Sequence, residues 1–266
     1  MPKVSVIMGV YKITNKDILT KSINSILNQT FKDFEFIICD DGSKDETLDI
    51  VKEICNNDKR VIFLKNEKNM GLAYVLNKCL KYCQGEYIAR MDADDESSLD
   101  RFEKQVQFLD SHQDYGVVTS NADVFDGDII WKEFIYSEEI SKKDFLFNNP
   151  IVHGAVMVRK SAYDKVNGYR DLPMTYRVED YDLFMRMFAQ GIKIKTIQEK
   201  LFKFREDREA LKRRKYKYRI NEARVRFHGY KLLKLYPKGI IYVIKPLIVG
   251  LLPLDLKRKI MLITKK

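Results

Sequence analysis

Asp92, Asp94 and Asp95 place three carboxylates within four residues, directly after the apolar run 85–91. Anions this close repel one another, and a cation is the simplest compensation. Hard oxygen ligands suit Mg²⁺ or Mn²⁺ and not zinc. An ion held there would bridge a diphosphate and stabilise it as a leaving group. The competing reading is that the acidic residues only favour the start of the next helix, whose first turns hold Asp100 and Glu103. A second acidic pair, Asp40-Asp41, follows another apolar run at 34–39, and Tyr11 follows a third at 4–8.

The elements around these residues decide between the two readings. Run 4–8 is short, apolar and rich in β-branched residues and reads as a buried strand, 34–39 as a second buried strand, and 61–64 and 85–91 as a third and a fourth strand. Between them, 15–29, a segment with Leu48, Val51 and Ile54 on one face, and 71–83 carry apolar residues at helical spacing. Ser43 or the acidic pair is placed to cap the second of these helices. Strands alternating with amphipathic helices imply a parallel sheet covered on both faces, in a doubly wound, Rossmann-like half. Ligands of such sheets bind beyond the carboxyl ends of the strands. Tyr11, Asp40, Asp41 and Asp92–Asp95 all lie there, so residues distant in sequence gather at one edge. Beyond, a helix is expected at 99–111, strands at 116–125 and 129–136, a short helix at 141–147, a strand at 155–159, a helix at 181–189 and a strand at 192–203.

The chain has 266 residues, 45% of them hydrophobic, enough for one sizeable core plus an appendage and unlike a disordered chain. Its net charge of +10 is uneven: residues 200–266 carry 21 Lys/Arg against 5 Asp/Glu, and residues 1–199 carry 27 against 33. The four cysteines (Cys39, Cys55, Cys79, Cys83) form no C-x-x-C pair and read as reduced core thiols of a cytosolic protein. The opening residues pass straight into a strand, without the basic and apolar regions of a secretory signal.

Several motifs appear in order at matching spacing: VSVIMGVY at 4–11, SILNQTFKDF at 25–34, DDGSKDET at 40–47, NMGL at 69–72 and GEYIARMDADD at 85–95. RFEKQ at 101–105, NGY at 167–169 and EDYD at 179–182 extend the series. Together they resemble the family-2 glycosyltransferases of the GT-A fold, over roughly residues 3–205. The resemblance implies a mixed, mostly parallel sheet flanked by helices, and an enzyme moving a sugar from a nucleotide-sugar, expected to be a UDP-sugar. It implies that Asp92-Ala93-Asp94 is the D-x-D motif, with Asp94 on Mn²⁺ or Mg²⁺ and Asp92 near the ribose. Asp41 is then the uracil-binding residue, Tyr11 and the Val10 backbone line the base pocket, and Arg90 lies close to the nucleotide. Asp180 of the Glu179-Asp180 pair is implied as general base on the acceptor hydroxyl, because an alcohol attacks an anomeric carbon only as its proton is removed. One base with in-line displacement implies inversion. Asp95, His153 and Glu179 are further candidates for acceptor or metal contacts. For His153 the alternative is a satisfied structural histidine, and for Arg90 a surface salt bridge with the acidic cluster. The family commonly has Pro at position 9 and Asn at position 12, where this chain has Gly9 and Lys12. The Q-x-x-R-W motif of processive members is absent, since Trp131 is the only tryptophan. One sugar per acceptor encounter is therefore expected.

The expected division is a catalytic domain at 1–207, made of a nucleotide-binding half (1–98) and an acceptor-binding half (99–207), followed by a basic helical tail at 208–266. The tail reads as helical from 208 to about 235, with aromatic residues among the basic ones, followed by an apolar stretch at 239–252 interrupted by Lys245-Pro246. Fourteen helical residues span about 21 Å, short of a hydrocarbon core of roughly 30 Å. The expected role is attachment to the inner face of the cell membrane, near a glycan or lipid-linked acceptor of surface polysaccharide synthesis. The alternative is a helix packed on the domain. A nucleic-acid-binding protein using the basic tail is the competing function, but the acidic first 199 residues oppose it and no nucleic-acid partner is expected. A nucleotidyltransferase would need a glycine-rich phosphate loop after the first strand, where only Gly9 stands.

Overall fold

The structure is a computed structural model and describes residues 1–13, 15–206 and 215–251. Strands β1 (Val4–Val10), β2 (Phe34–Asp40) and β3 (Val61–Lys65) run parallel, with β4 (Tyr87–Asp92) parallel to β1 on its other side. Helices α1 (Lys16–Leu27), α2 (Thr47–Cys55) and α3 (Leu72–Leu80) connect them, as parallel neighbours require. The alternation within β1 shows why its run is apolar throughout. Val4, Val6, Met8 and Val10 pack with α1 and with α4 (Arg101–Ser111), through Leu19, Ile23, Phe102 and Val106, while Ile7 faces Val75, Leu76 and Cys79 of α3 on the other side. Both faces of the sheet are covered, so no polar alternation is needed. All four cysteines are buried and free.

The second half continues the same sheet. It comprises β5 (Glu96–Ser97), β6 (Tyr115–Asp126), β7 (Ile129–Phe134), β8 (Met157–Arg159), α5 (Lys160–Lys165), α6 (Glu179–Ala189) and β9 (Lys193–Arg205). The strand order is β3-β2-β1-β4-β8-β6-β9-β5, with β7 on β6. β8 is antiparallel to both β4 and β6, and β6 and β9 are parallel. The result is a mixed sheet, parallel in its first half and partly antiparallel in its second. The short helix expected at 141–147 is one 3-10 turn, Asp144–Leu146, and the strand expected from 155 starts at Met157, because His153–Ala155 form another. β5 carries no pattern that two residues could show.

The basic segment forms α7 (Tyr216–Leu232) and α8 (Ile240–Leu251); residues 208–214 and 252–266 lie outside the described residues. Lys245 and Pro246 interrupt the apolar run of α8 but not the helix, which continues through Pro246. The charge step near residue 207 is no gap in packing. A Cβ at Gly229 of α7 would overlap Met185 of α6, so the two helices meet at a distance glycine permits. Arg226 of α7 is 1% exposed. Among the described residues no helix is long and apolar enough to cross a membrane.

Candidate active site

The carboxyl ends of β1, β2 and β4 form the floor of two adjoining clefts. The first, of about 300 Å³, is lined by Gly9, Val10, Tyr11, Asp41, Gly71 and Tyr176 among others. The second, of about 550 Å³, brings together Arg90, Asp92, Asp94, His153, Glu179 and Asp180. Leu72, Arg177 and Glu179 line both, so the clefts are continuous.

In the first cleft the local chemistry fixes Asp41. Its Oδ1 accepts from Asn66 Nδ2 and Met70 N, and its Oδ2 from Gly71 N, each at 2.8 Å. The carboxylate thus sits at the N-terminal end of α3, where helix N–H groups favour an anion. Gly42, at φ +74°, lets the chain pass against the Lys68 backbone, where a Cβ would lie 2.4 Å from the carbonyl carbon. Neither Ser43 nor the acidic pair caps α2, contrary to expectation. Ser43 Oγ accepts from Lys12 N at 3.0 Å, Asp40 Oδ1 from Ser43 N at 3.1 Å, and the N-cap of α2 is Glu46, which makes no side-chain cap bond.

In the second cleft the two D-x-D carboxylates line one wall but differ in their surroundings. Asp94 is exposed, and its carbonyl accepts from Arg205 Nε at 3.0 Å. Asp92 is in ion-pair contact with the buried Arg90, so Arg90 does bridge to the acidic cluster, from beneath and not from the surface. Ala93 is buried between them. Asp95 turns into the body of the protein and does not line either cleft. Its Oδ1 accepts from Arg205 N at 2.7 Å, and burial, then the neighbouring Asp94, push its carboxyl well above the ordinary range.

At the far wall, α6 begins with Glu179 and Asp180. Burial, then the charge of Asp180, push the Glu179 carboxyl up to about 7. Burial also raises Asp180, while the Tyr181 N–H and the Asn149 amide draw it back. Asp180 is not the N-cap of α6; Val178 is. His153 Nε2 pairs with the Tyr169 hydroxyl at 2.8 Å, and burial, then Arg90, hold its imidazole well below its usual range, hence neutral at pH 7. Tyr169 is itself fixed to α3, since Asn77 Oδ1 accepts from Tyr169 N at 2.9 Å and Asn77 Nδ2 donates to Tyr169 O at 2.8 Å. The NGY motif thereby ties α3 to the wall of the second cleft.

Three contributors had no sequence signal. Arg177 takes φ +70°, a backbone state that costs a non-glycine residue about 1–3 kcal/mol and is concentrated at functional sites. Its guanidinium lies over the Tyr176 and Tyr218 rings, at 5.9 Å from each centroid. Asn149 reaches Asp180, 31 residues away. Tyr218, Arg219 and Glu222 of α7 line the second cleft, so the basic segment supplies part of its wall.

The donor set can be tested against a divalent cation. Among the described residues no three His, Cys, Asp or Glu side chains are grouped closely enough to hold a metal. Asp94 with Asp92 offers one or two carboxylates at the cleft, which is what Mg²⁺ takes when substrate phosphates and water complete its shell. The residues fit an ion that arrives with a diphosphate.

Comparison with known proteins agrees with this geometry. The family described as "Glycosyl transferase family 2" matches residues 5–166, and "N-terminal domain of galactosyltransferase" matches residues 138–209. EpsE of Bacillus subtilis, provisionally described as a glycosyltransferase, is 42% identical over 253 residues, covering 95% of this chain and 90% of its own. The UDP-Gal:α-D-GlcNAc-diphosphoundecaprenol β-1,3-galactosyltransferase of Escherichia coli is 31% identical over 260 residues, covering 95% and 92%. Among solved structures, residues 1–349 of S. aureus TarS in complex with UDP-GlcNAc superpose with a TM-score of 0.73 at 18% identity, covering 95% of this chain and 77% of that one. The chain belongs to glycosyltransferase family 2, with the GT-A fold, and is a glycosyltransferase.

Proposed function

We propose that the protein transfers a single sugar, with inversion, from a UDP-sugar to a hydroxyl of a glycan or lipid-linked acceptor in surface polysaccharide synthesis. The observation that carries this reading is the convergence of Asp92, Asp94, Glu179 and Asp180 on one cleft continuous with the pocket that Val10, Tyr11 and Asp41 line. The E. coli relative, named for a β-1,3 linkage from UDP-galactose onto a diphosphoundecaprenol-linked sugar, supports the donor class, the acceptor class and the stereochemistry.

The base lies between Tyr11 and Asp41. The diphosphate then reaches toward Arg177 and Asp94, and the sugar toward Asp180. Asp94 with Asp92 would hold Mn²⁺ or Mg²⁺, which when bound would supply positive charge to offset that of the leaving diphosphate. Asp180 takes the acceptor proton as the acceptor oxygen bonds to the anomeric carbon and the bond from that carbon to the diphosphate breaks. Arg90 holds Asp92 in place, and the neutral His153 with Tyr169 keeps the wall polar without adding charge. Residues 208–266 attach the enzyme to the inner face of the cell membrane.

Nucleotide release from a panel of UDP-, GDP- and dTDP-sugars, with Mn²⁺, with Mg²⁺ and with chelator, tests the reading. Release from a single donor, dependent on metal and lost in Asp94→Ala, is expected. No release from any donor, with no metal-dependent nucleotide binding, contradicts it. An α-linked product from an α-linked donor, seen in the anomeric NMR coupling, contradicts inversion.

A further inference from the structure

The proposed base stands on the first turn of α6, but the groups that orient it come from elsewhere. Asp180 Oδ1 accepts from Tyr181 N and Oδ2 from Asn149 Nδ2, both at 2.8 Å. Asn149 follows a stretch whose only regular structure is the 3-10 turn Asp144–Leu146. Its position therefore depends on what grips that stretch, and the grip comes largely from α7. Arg226 Nη1 donates to Leu146 O at 2.9 Å and Nη2 to Phe147 O at 3.1 Å. The Tyr230 hydroxyl donates to Leu146 O at 3.0 Å, and Lys245 Nζ of α8 to Phe147 O at 3.4 Å.

Arg226 is an expensive way to fasten a helix. Removing a guanidinium from water costs several kcal/mol, and an apolar side chain of similar volume often serves stability as well or better. Here the charge is compensated by Glu222 Oε1 at 2.9 Å, and Nη1 also meets the Tyr230 hydroxyl at 2.7 Å. A planar fork with several fixed donors suits the holding of two successive carbonyls in one geometry, which an apolar contact cannot do. Such precision matters where a base must meet a hydroxyl, since displacement by about 1 Å can cost roughly a hundredfold in rate.

We propose that Arg226 is a positioning residue for the catalytic base, acting through the carbonyls of Leu146 and Phe147 and through Asn149 on Asp180. The inference rests on Asp180 being that base. It gives the basic C-terminal segment a part in the chemistry besides any attachment to a surface.

The test uses the full chain, the nucleotide-sugar that gives metal-dependent release, and water as acceptor. Asp180→Asn is the reference and is expected to lose about a hundredfold or more in kcat. Arg226→Met and Asn149→Ala are each expected to lower kcat about tenfold, with donor KM changed less than about twofold. Because they act in series, the double variant should fall no further than the weaker single variant, and Arg226→Met should add nothing in the Asp180→Asn background. Arg226→Lys, which keeps the charge but not the fork, should restore part of the loss. Tyr236→Phe, which removes a bond to Phe227 O on the same helix, is the packing control and should keep wild-type kcat. A folded Arg226→Met enzyme with wild-type kcat overturns the proposal, as does a double variant whose loss is the product of the singles, or a loss confined to KM. If Arg226→Met does not fold, Arg226→Lys decides: a severalfold drop in kcat supports the proposal and an unchanged kcat overturns it. Full activity in Asp180→Asn instead removes the base assignment itself.

Discussion

Two neighbouring carboxylates in this chain have opposite fates. Asp94 faces the cleft, whereas Asp95 is buried, accepts from the Arg205 backbone, and is pushed well above the ordinary carboxylate range by burial and then by Asp94. Asp94→Ala should therefore abolish Mn²⁺-dependent UDP binding in a calorimetric titration, and Asp95→Asn, which keeps the side chain's shape and an oxygen to accept from Arg205 N, should keep it within about threefold. Loss of metal dependence in Asp95→Asn would return that residue to the metal site. Glu179 makes a second prediction, in stability. Its carboxyl rises from 4.5 to about 7 on folding. Between those values the unfolded chain has released a proton that the folded protein still holds, so stability falls as pH rises from about 4.5 to 7. A shift of that size is worth about 3 kcal/mol. The melting temperature should drop over this interval, and Glu179→Gln should flatten the drop. A drop equally steep in Glu179→Gln would assign it to another group.

At the scale of elements, the site depends on how closely α3 lies over the end of β1. A Cβ at Gly9 would stand 2.8 Å from Val75 Cγ1. That packing accounts for glycine at this position. Gly9→Ala should cost about 1–3 kcal/mol through overpacking. It should also weaken donor binding, because Asp41 is bonded to the residues that begin α3. Val75→Ala should restore both in the double variant, measured by melting and by nucleotide titration; two additive losses would contradict the steric account. The same elements show what the sequence could reveal. The parallel half was legible because continuous apolar strands and helices of period 3.6 alternate there, and the rule that ligands sit beyond strand ends located Tyr11, Asp41 and Asp94. Asp95 was not separable from its neighbours, since three acidic residues in one turn cannot all face the same way and only the course of β9 shows which one is covered. Asn149 and Arg226 left no trace, because their partners lie 31 and about 80 residues away and such contacts have no period.

At the scale of the whole molecule, α7 and α8 connect the catalytic wall to an unusual surface. Ile241, Ile244, Ile248 and Leu251 recur at helical spacing on α8 and are exposed, Ile241 at 71% and Leu251 at 74%. Lysines and arginines surround this stripe in sequence, within a segment carrying 21 basic residues against 5 acidic. The twelve residues of α8 extend about 18 Å, too short to span a hydrocarbon core of roughly 30 Å, but suited to lying in its interface. Each isoleucine fully removed from water contributes about 1.5–3 kcal/mol, and each basic residue close to an anionic bilayer about 1 kcal/mol, the latter weakened by salt. The two contributions can therefore be separated by flotation with vesicles. Wild-type protein should float with vesicles rich in anionic lipid, less with zwitterionic ones, and partly detach as salt is raised. Ile241→Glu with Ile248→Glu should stay with the soluble fraction in every case while keeping donor hydrolysis, because neither side chain reaches the cleft. Continued flotation of that double variant would show that the stripe does not face lipid. Binding indifferent to lipid charge and to salt would leave the basic residues without the attachment role proposed for them.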